Sequence, residues 1–448
     1  MAAGAVALAE GLTSKDQDAG SPARHQAPAL VAGVDPSGAT NQLAGKSAGG
    51  HTARSGGRDQ HSSATAAGGS RVVSSVASSP AVLHALRKGW MTVVIDQPPP
   101  GLFTEQNRSV TQGAEVAARE LNAGGGLARR VHVRLVRQRL DGLSAGALRG
   151  RLQSEAAAAL ILPCDTDSQF TIAAEAARFG TLMLAPCNAD PQAGHDFPTY
   201  WPVGAAASDE TLELASFMQV IGRGNVFIVE TPGSRYVQLL TSWFRNAAQT
   251  RNMQVVGTAS VAMSTSNFAS LAHAIQAAHP APSAIFTALP PPYVNRLAAG
   301  LAAHGVSQAV VGTAVMDTPL TLAKGGEALN DAVFSTLGFP RESSAARRFA
   351  ADYRRQFHKS PVGGFADVGL ETVRLLADAA AKAHSAAPQA IQRALKGGIM
   401  LSGVGLANRS YQAGGDHNPI GEVAIEKIAS DAFLPLFAGV PSGDASGR

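Results

Sequence analysis

From Met91 onward the chain alternates short apolar runs with longer amphipathic stretches, and this alternation constrains its fold more than any other feature. "MTVVID", "VHVRLVRQ", "AALILPC" and "LMLAPC" read as strands, with helices predicted between them at "EQNRSVTQGAEVAARELNA", "SAGALRGRLQSEA" and "SQFTIAAEAARFG". Gly124, Gly125 and Gly126 end the first helix. After a break near "YWPVGAAASDE" the series restarts: strands at "NVFIVE", "MQVVGTASVA", "AIFTAL" and "AVVGTAV" alternate with helices such as "YVQLLTSWFRNAAQTR" and "YVNRLAAGLAAHG". Strands that are apolar almost throughout and joined by helices form parallel sheets covered on both faces. The restart predicts two such units in tandem, an α/β chain with two doubly wound parallel-sheet lobes.

What flanks this region sets the domain boundaries. Residues 1 to about 70 are rich in Gly, Ala and Ser with no sustained periodicity, and such a segment buries too little apolar surface to offset its ordering entropy. Disorder is therefore expected over 1–88, with a short helix around "SPAVLHALRKG" leading into the fold. The first lobe is expected over 89–204 and the second over 205–338. Further helices such as "FADVGLETVRLLADAAAKA" follow over 339–396, and closing strands around "NPIGEVAIEKIA" over 397–448. "MAAGAVALAEG" has a short apolar run but no Lys or Arg before it, so it is a poor secretory signal, and Met91 offers an alternative start.

Several functions are argued against. A formal net charge of +4 over 448 residues, with the basic residues scattered, does not point to nucleic acid. No apolar stretch nears the roughly 20 residues of a spanning helix. Strand-following Gly-x-Gly-x-x-Gly, Walker and Gly-x-Ser-x-Gly motifs are absent, and no Cys/His spacing suits zinc, so neither cofactor nor metal is expected.

Right-handed crossovers put the ligand-facing edge of each sheet at the carboxyl ends of its strands. The loops there are "DQPPPGLF", "LPCDTDSQ" and "APCNADP" in the first lobe, and "VETPGSRY", "TALPPPY" and "AVMDTP" in the second. They suit a small polar ligand: helix N-termini offer N–H groups to a carboxylate, and Asp165, Asp167, Glu230 or Asp317 could face an ammonium group. Each of these acids reads equally well as an N-cap or turn residue. The chain's two cysteines, Cys164 and Cys187, end neighbouring strands. As a nucleophile either would need a base, and His195, the nearest histidine in sequence, makes no obvious pair. The pair reads as a disulfide, if the protein is exported and the Cα atoms come within roughly 4.4–6.8 Å, or as small buried residues walling the cleft.

These residues also carry a family likeness. "MTVVIDQPPPGLFTEQNRSVTQGAEVAARELNAGGGLARRVHVRLV" resembles the opening of type I periplasmic binding proteins of the leucine/isoleucine/valine class. "AALILPCDTDSQFTIAAEAARFGTLMLAPCNADP" is similar to that family's two consecutive ligand loops, and the "GGDHNP" turn with "NPIGEVAIEKI" to its closing strands. The likeness covers about residues 90–435. It implies two lobes joined by a three-crossover hinge, the helices over 339–396 returning to the first lobe and the strands over 397–448 to the second. The lobes would close on an amino acid or similar small amide and pass it to an ABC permease. The protein would then be a monomer, periplasmic or extracellular, without catalytic activity; a ligand sensor of the same fold, uncoupled from a permease, is the alternative. Carried over, the first ligand loop falls on Cys164, Asp165 and Thr166, and the second on Cys187, Asn188 and Ala189. Phe103 closes the Pro-x-x-Gly-x-Phe turn, Arg235 or Tyr236 occupies the region of the second-lobe tyrosine, and Asp317 the acidic position. An acid at 165 disfavours a ligand carboxylate close to it.

Overall fold

The computed structural model describes residues 75–323, 326–338, 342–401 and 410–439. The stretch expected to be disordered lies outside the described residues as far as residue 74. Its last part is ordered: a 3-10 turn at Val76–Ser78 leads into α1 (Pro80–Arg87), the short helix expected there, capped by Ser79. Val76 and Val82 are buried, and the Val76 amide donates to Phe179 O at 3.0 Å, so 75–88 belongs to the folded unit.

The first sheet contains β1 (Trp90–Asp96), β2 (His132–Gln138), β3 (Ala157–Ile161), β4 (Leu182–Ala185) and β5 (Tyr200–Pro202), all parallel, in the order β2-β1-β3-β4-β5. Between them run α2 (Thr104–Ala123), α3 (Ala145–Ser154), α4 (Thr166–Ala177) and the short α5 (Ala193–Asp196). Every residue of β3 and β4 is buried, as strands covered on both faces require. The sequence around β5 reads as a break because three residues are too few for periodicity. Pro202, which cannot donate to a ladder, is tolerated on this edge strand.

The second sheet repeats the plan. Following α6 (Ala207–Val220) come β6 (Asn225–Glu230), α7 (Arg235–Thr250), β7 (Gln254–Ser260), α8 (Ala269–Ala277), β8 (Ala284–Thr287), α9 (Tyr293–Ala303), β9 (Ala309–Gly312) and β10 (Val333–Thr336). The parallel order is β7-β6-β8-β9-β10, the same winding as in the first sheet. The chain then returns through α10 (Ser344–Phe357), α11 (Phe365–Lys382) and α12 (Pro388–Lys396). α11 lies against α2 because two glycines let the backbones meet. A Cβ on Gly113 would stand 1.8 Å from Ala366 O, and one on Gly369 2.1 Å from Val110 O.

A two-stranded ribbon, β11 (Ile399–Met400) with β12 (Ser410–Tyr411), precedes the closing hairpin β13 (Val423–Ala429) and β14 (Ala432–Gly439), which pairs antiparallel to β10. Here the expected boundary at 397 is corrected. The Tyr411 hydroxyl donates to Pro202 O at 2.6 Å, and the His417 ring stacks on Trp201 with centroids 3.9 Å apart. Aromatic packing thus holds the chain on the edge of the first sheet, and it joins the second only at Val423. Three crossovers result: after β5, after β10 and before β13. Each sheet reverses its winding between its first and third strands, which places a crevice beside the carboxyl ends of β1 and β3 and of β6 and β8. Register levels those ends: Ile95, Ile161 and Leu184 stand abreast in one sheet, and Ile228, Phe286 and Val311 in the other.

Candidate functional site

The loops after β3 and β4 are joined covalently. Cys164 and Cys187 form a disulfide with their Cα atoms 5.1 Å apart. Gln169 reinforces this link, its Nε2 donating to Pro163 O and to Cys187 O, each at 2.9 Å. From α2, Asn107 Oδ1 accepts the Cys164 amide at 2.7 Å. The two loops therefore present one rigid wall.

That wall faces the second lobe across a cavity of about 30 Å³. At roughly 10–15 Å³ per water this holds two or three waters. Phe103 and Tyr236 meet edge to face across the cavity, with centroids 5.3 Å apart. Beside them Gln106 Nε2, on α2, donates to Val315 O of the other lobe at 3.2 Å. The lining is largely apolar, with Gln169, Asn188 and Glu210 as its amide and carboxyl groups. Glu210 Oε1 accepts both the Ala314 amide and the Ser335 hydroxyl at 2.6 Å. Burial raises its carboxyl pKa, and these two hydrogen bonds only partly oppose that. Burial and the Glu210 charge likewise push the Tyr236 phenol up, while its hydroxyl pairs with Thr313 Oγ1 at 3.0 Å. Among the described residues no Lys, Arg or His lines the cavity.

Of the residues expected at the site, Phe103, Cys164, Cys187, Asn188, Ala189 and Tyr236 come together around this cavity. The others do not line it. Asp165 caps α4, its Oδ1 accepting the Ser168 amide at 3.0 Å, and lines a neighbouring pocket of about 140 Å³ with Pro98, Pro99 and Phe103. Thr166 is buried in the first turn of α4, its Oγ1 without a protein partner. Arg235 sits at the rim and reaches the first lobe, 3.8 Å from Asp190 Oδ2 and 4.5 Å above the Phe170 ring. Asp317 Oδ2 accepts the Gly364 amide at 2.6 Å and the Thr336 hydroxyl, tying the second crossover to the start of α11. Glu230 pairs with Arg245 at 3.0 Å, and His195 is exposed beside Asp196. Sequence reasoning missed Gln169, Glu210, Leu337 and Phe365, which also line the cavity. For Glu210 a signal was present: Asp209, Glu210 and Glu213 all fall on the buried side of α6.

Comparison with known proteins agrees with this architecture. A family model described as periplasmic binding protein matches residues 97–432, well over half of the chain. No curated protein matches the sequence. Similar solved structures include the leucine-binding protein LivK of Thermotoga maritima, 18% identical, with 78% of this chain and 99% of that one covered and a TM-score of 0.67. The substrate-binding protein LivJ of Streptococcus pneumoniae, in complex with isoleucine, is 16% identical, covering 78% and 99% with a TM-score of 0.66. A solute-binding protein of R. palustris in complex with benzoate is 15% identical, covering 80% and 98% with a TM-score of 0.66. At these identities the structural likeness speaks for the fold alone, whereas the extent of the family match decides membership. The chain belongs to the periplasmic binding protein family.

Proposed function

We propose that this chain is the solute-binding component of an ABC-type importer, holding an amino acid or similar small amide between its lobes and delivering it to a membrane permease from the periplasmic side. The observation that carries this reading is the cavity itself. Side chains of both lobes, Phe103 and Asn188 from one and Glu210 and Tyr236 from the other, line a single space with an apolar body and a few polar points. A ligand there touches both lobes only when they are closed, so its binding energy favours closure. Both cysteines of the chain are joined in the disulfide, which braces the two loops that line this space.

A thermal-shift screen of the full chain against amino acids, their amides, urea derivatives and aromatic acids tests the proposal. Binding to the native state raises the melting temperature, by about 2.7 kcal/mol of stability at a hundredfold excess over Kd. At least one of these solutes is expected to do so. Failure of all of them would sink the reading.

A further inference from the structure

Asn418 lies outside the cavity, on the third crossover, yet it fixes the orientation of the Asn188 side-chain amide. Its backbone amide donates to Asp416 Oδ1 at 3.1 Å, and its Nδ2 donates to Asp416 Oδ2 at 2.9 Å and to Pro191 O at 2.8 Å. With acceptors on that side, the Asn418 carbonyl oxygen must turn to Asn188, whose Nδ2 donates to it at 2.9 Å. Reversing either amide would set oxygen against oxygen, so the network has one consistent assignment. Asn188 Oδ1 is what remains: a buried oxygen with no protein partner, on a residue that lines the cavity and is only 4% exposed. Gln169 is locked in the same sense. Both its amide hydrogens go to Pro163 O and Cys187 O, which leaves it a carbonyl oxygen to offer. The third polar group of this set is the Glu210 carboxyl.

We propose that Asn418 is a positioning residue for ligand selection, which together with Asp416 and Pro191 holds Asn188 with its acceptor toward the cavity, so that a ligand must bring an N–H donor, an ammonium or an amide NH2, on an apolar body. This rests on the reading of the cavity as the ligand site. A carboxylic acid or ester of the same shape sets its own oxygen against Asn188 Oδ1 and leaves a buried acceptor unpaired.

The test uses the full, oxidised chain and two matched probe sets: 4-methylpentylamine and 4-methylpentanamide against 4-methylpentanoate and its methyl ester, and benzylamine and benzamide against benzoate and methyl benzoate. In the wild type the donor-bearing members are expected to bind at least about tenfold tighter than their partners, the effect of one buried hydrogen bond. In Asn418→Ala, where the Asn188 amide can rotate, that ratio falls toward one. Tighter binding of the donor-free probes, or a ratio unchanged in Asn418→Ala, overturns the proposal. A ligand-free readout accompanies it: in asparagine-labelled protein, the Asn188 side-chain NH2 is expected to be protected from hydrogen exchange in the wild type and exposed in Asn418→Ala. Should that variant fail to fold, Asp416→Ala loosens the same lock one residue further out. Rapid exchange of the Asn188 amide in the wild type refutes the lock whatever binds. A protected amide in a chain that binds no solute refutes the cleft reading instead.

Discussion

Replacing Arg235 by alanine should weaken ligand binding by about five- to tenfold without touching the cavity. Arg235 opens α7 in the second lobe, and its guanidinium rests 3.8 Å from Asp190 Oδ2 and 4.5 Å above the Phe170 ring of the first. The arginine side chain is 46% exposed and the aspartate 21%, so solvent screening reduces the ion pair to about 0.5 kcal/mol. A partly exposed cation–π contact adds about 0.5–1 kcal/mol. Both are interlobe contacts, so together they favour the closed form by about 1–1.5 kcal/mol, which at 1.4 kcal/mol per decade is the stated change in Kd. Calorimetric titration of Arg235→Ala and Arg235→Lys reads the effect, with lysine intermediate because it keeps the charge but stacks less well. An unchanged Kd would refute the clasp. A loss beyond about a hundredfold would refute it differently, by showing that Arg235 contacts the ligand.

The disulfide spans a sequence separation of 23, so reduction, or Cys164→Ser with Cys187→Ser, should cost about 3 kcal/mol in denaturant unfolding by loop-closure entropy; an unchanged midpoint would contradict that. Gly113→Ala drives a Cβ into the Ala366 carbonyl and should destabilise the chain by about 3 kcal/mol or more, seen as a collapse in melting temperature. Asp165→Ala should lower unliganded stability by about 1 kcal/mol through loss of the α4 cap while leaving Kd unchanged. Asp96, buried with Oδ2 lacking a partner, has its pKa pushed up by desolvation to about 6, above its unfolded value of about 4. The folded chain then holds a proton that the unfolded chain has released, so this contribution is fully present below about pH 4 and is lost as pH rises through about 6. Asp96→Asn, which keeps an acceptor for the Leu140 amide, should flatten that slope in melting curves taken between pH 4 and 8.

The two wound sheets were legible because β3, β4, β6 and β8 are nearly all apolar, a pattern that only strands covered on both faces tolerate. β5 was not, since "YWP" is too short to show a period and its pairing with β4 is tertiary. Site residues divide in the same way. Cys187, Asn188 and Ala189 follow β4 closely and Phe103 ends the loop between β1 and α2, so topology alone brings them to the crevice. Asp165 and Asp317 follow strands too, but their carboxylates satisfy backbone amides first: Asp165 caps the helix it starts, and Asp317 accepts the amide of Gly364, 47 residues away. Glu210 and Asn418 acquire their roles from partners 104 and 230 residues away, a separation no local pattern encodes.

The central claim, that one solute is held between Phe103 and Asn188 of one lobe and Glu210 and Tyr236 of the other, is tested most directly by calorimetric titration. The solute giving the largest thermal shift is titrated into the wild type and into the double variant Phe103→Ala, Tyr236→Ala. The account predicts one ligand per wild-type chain and at least a hundredfold weaker binding once the two facing rings are gone. Equal affinity in both proteins would place the ligand elsewhere and contradict it.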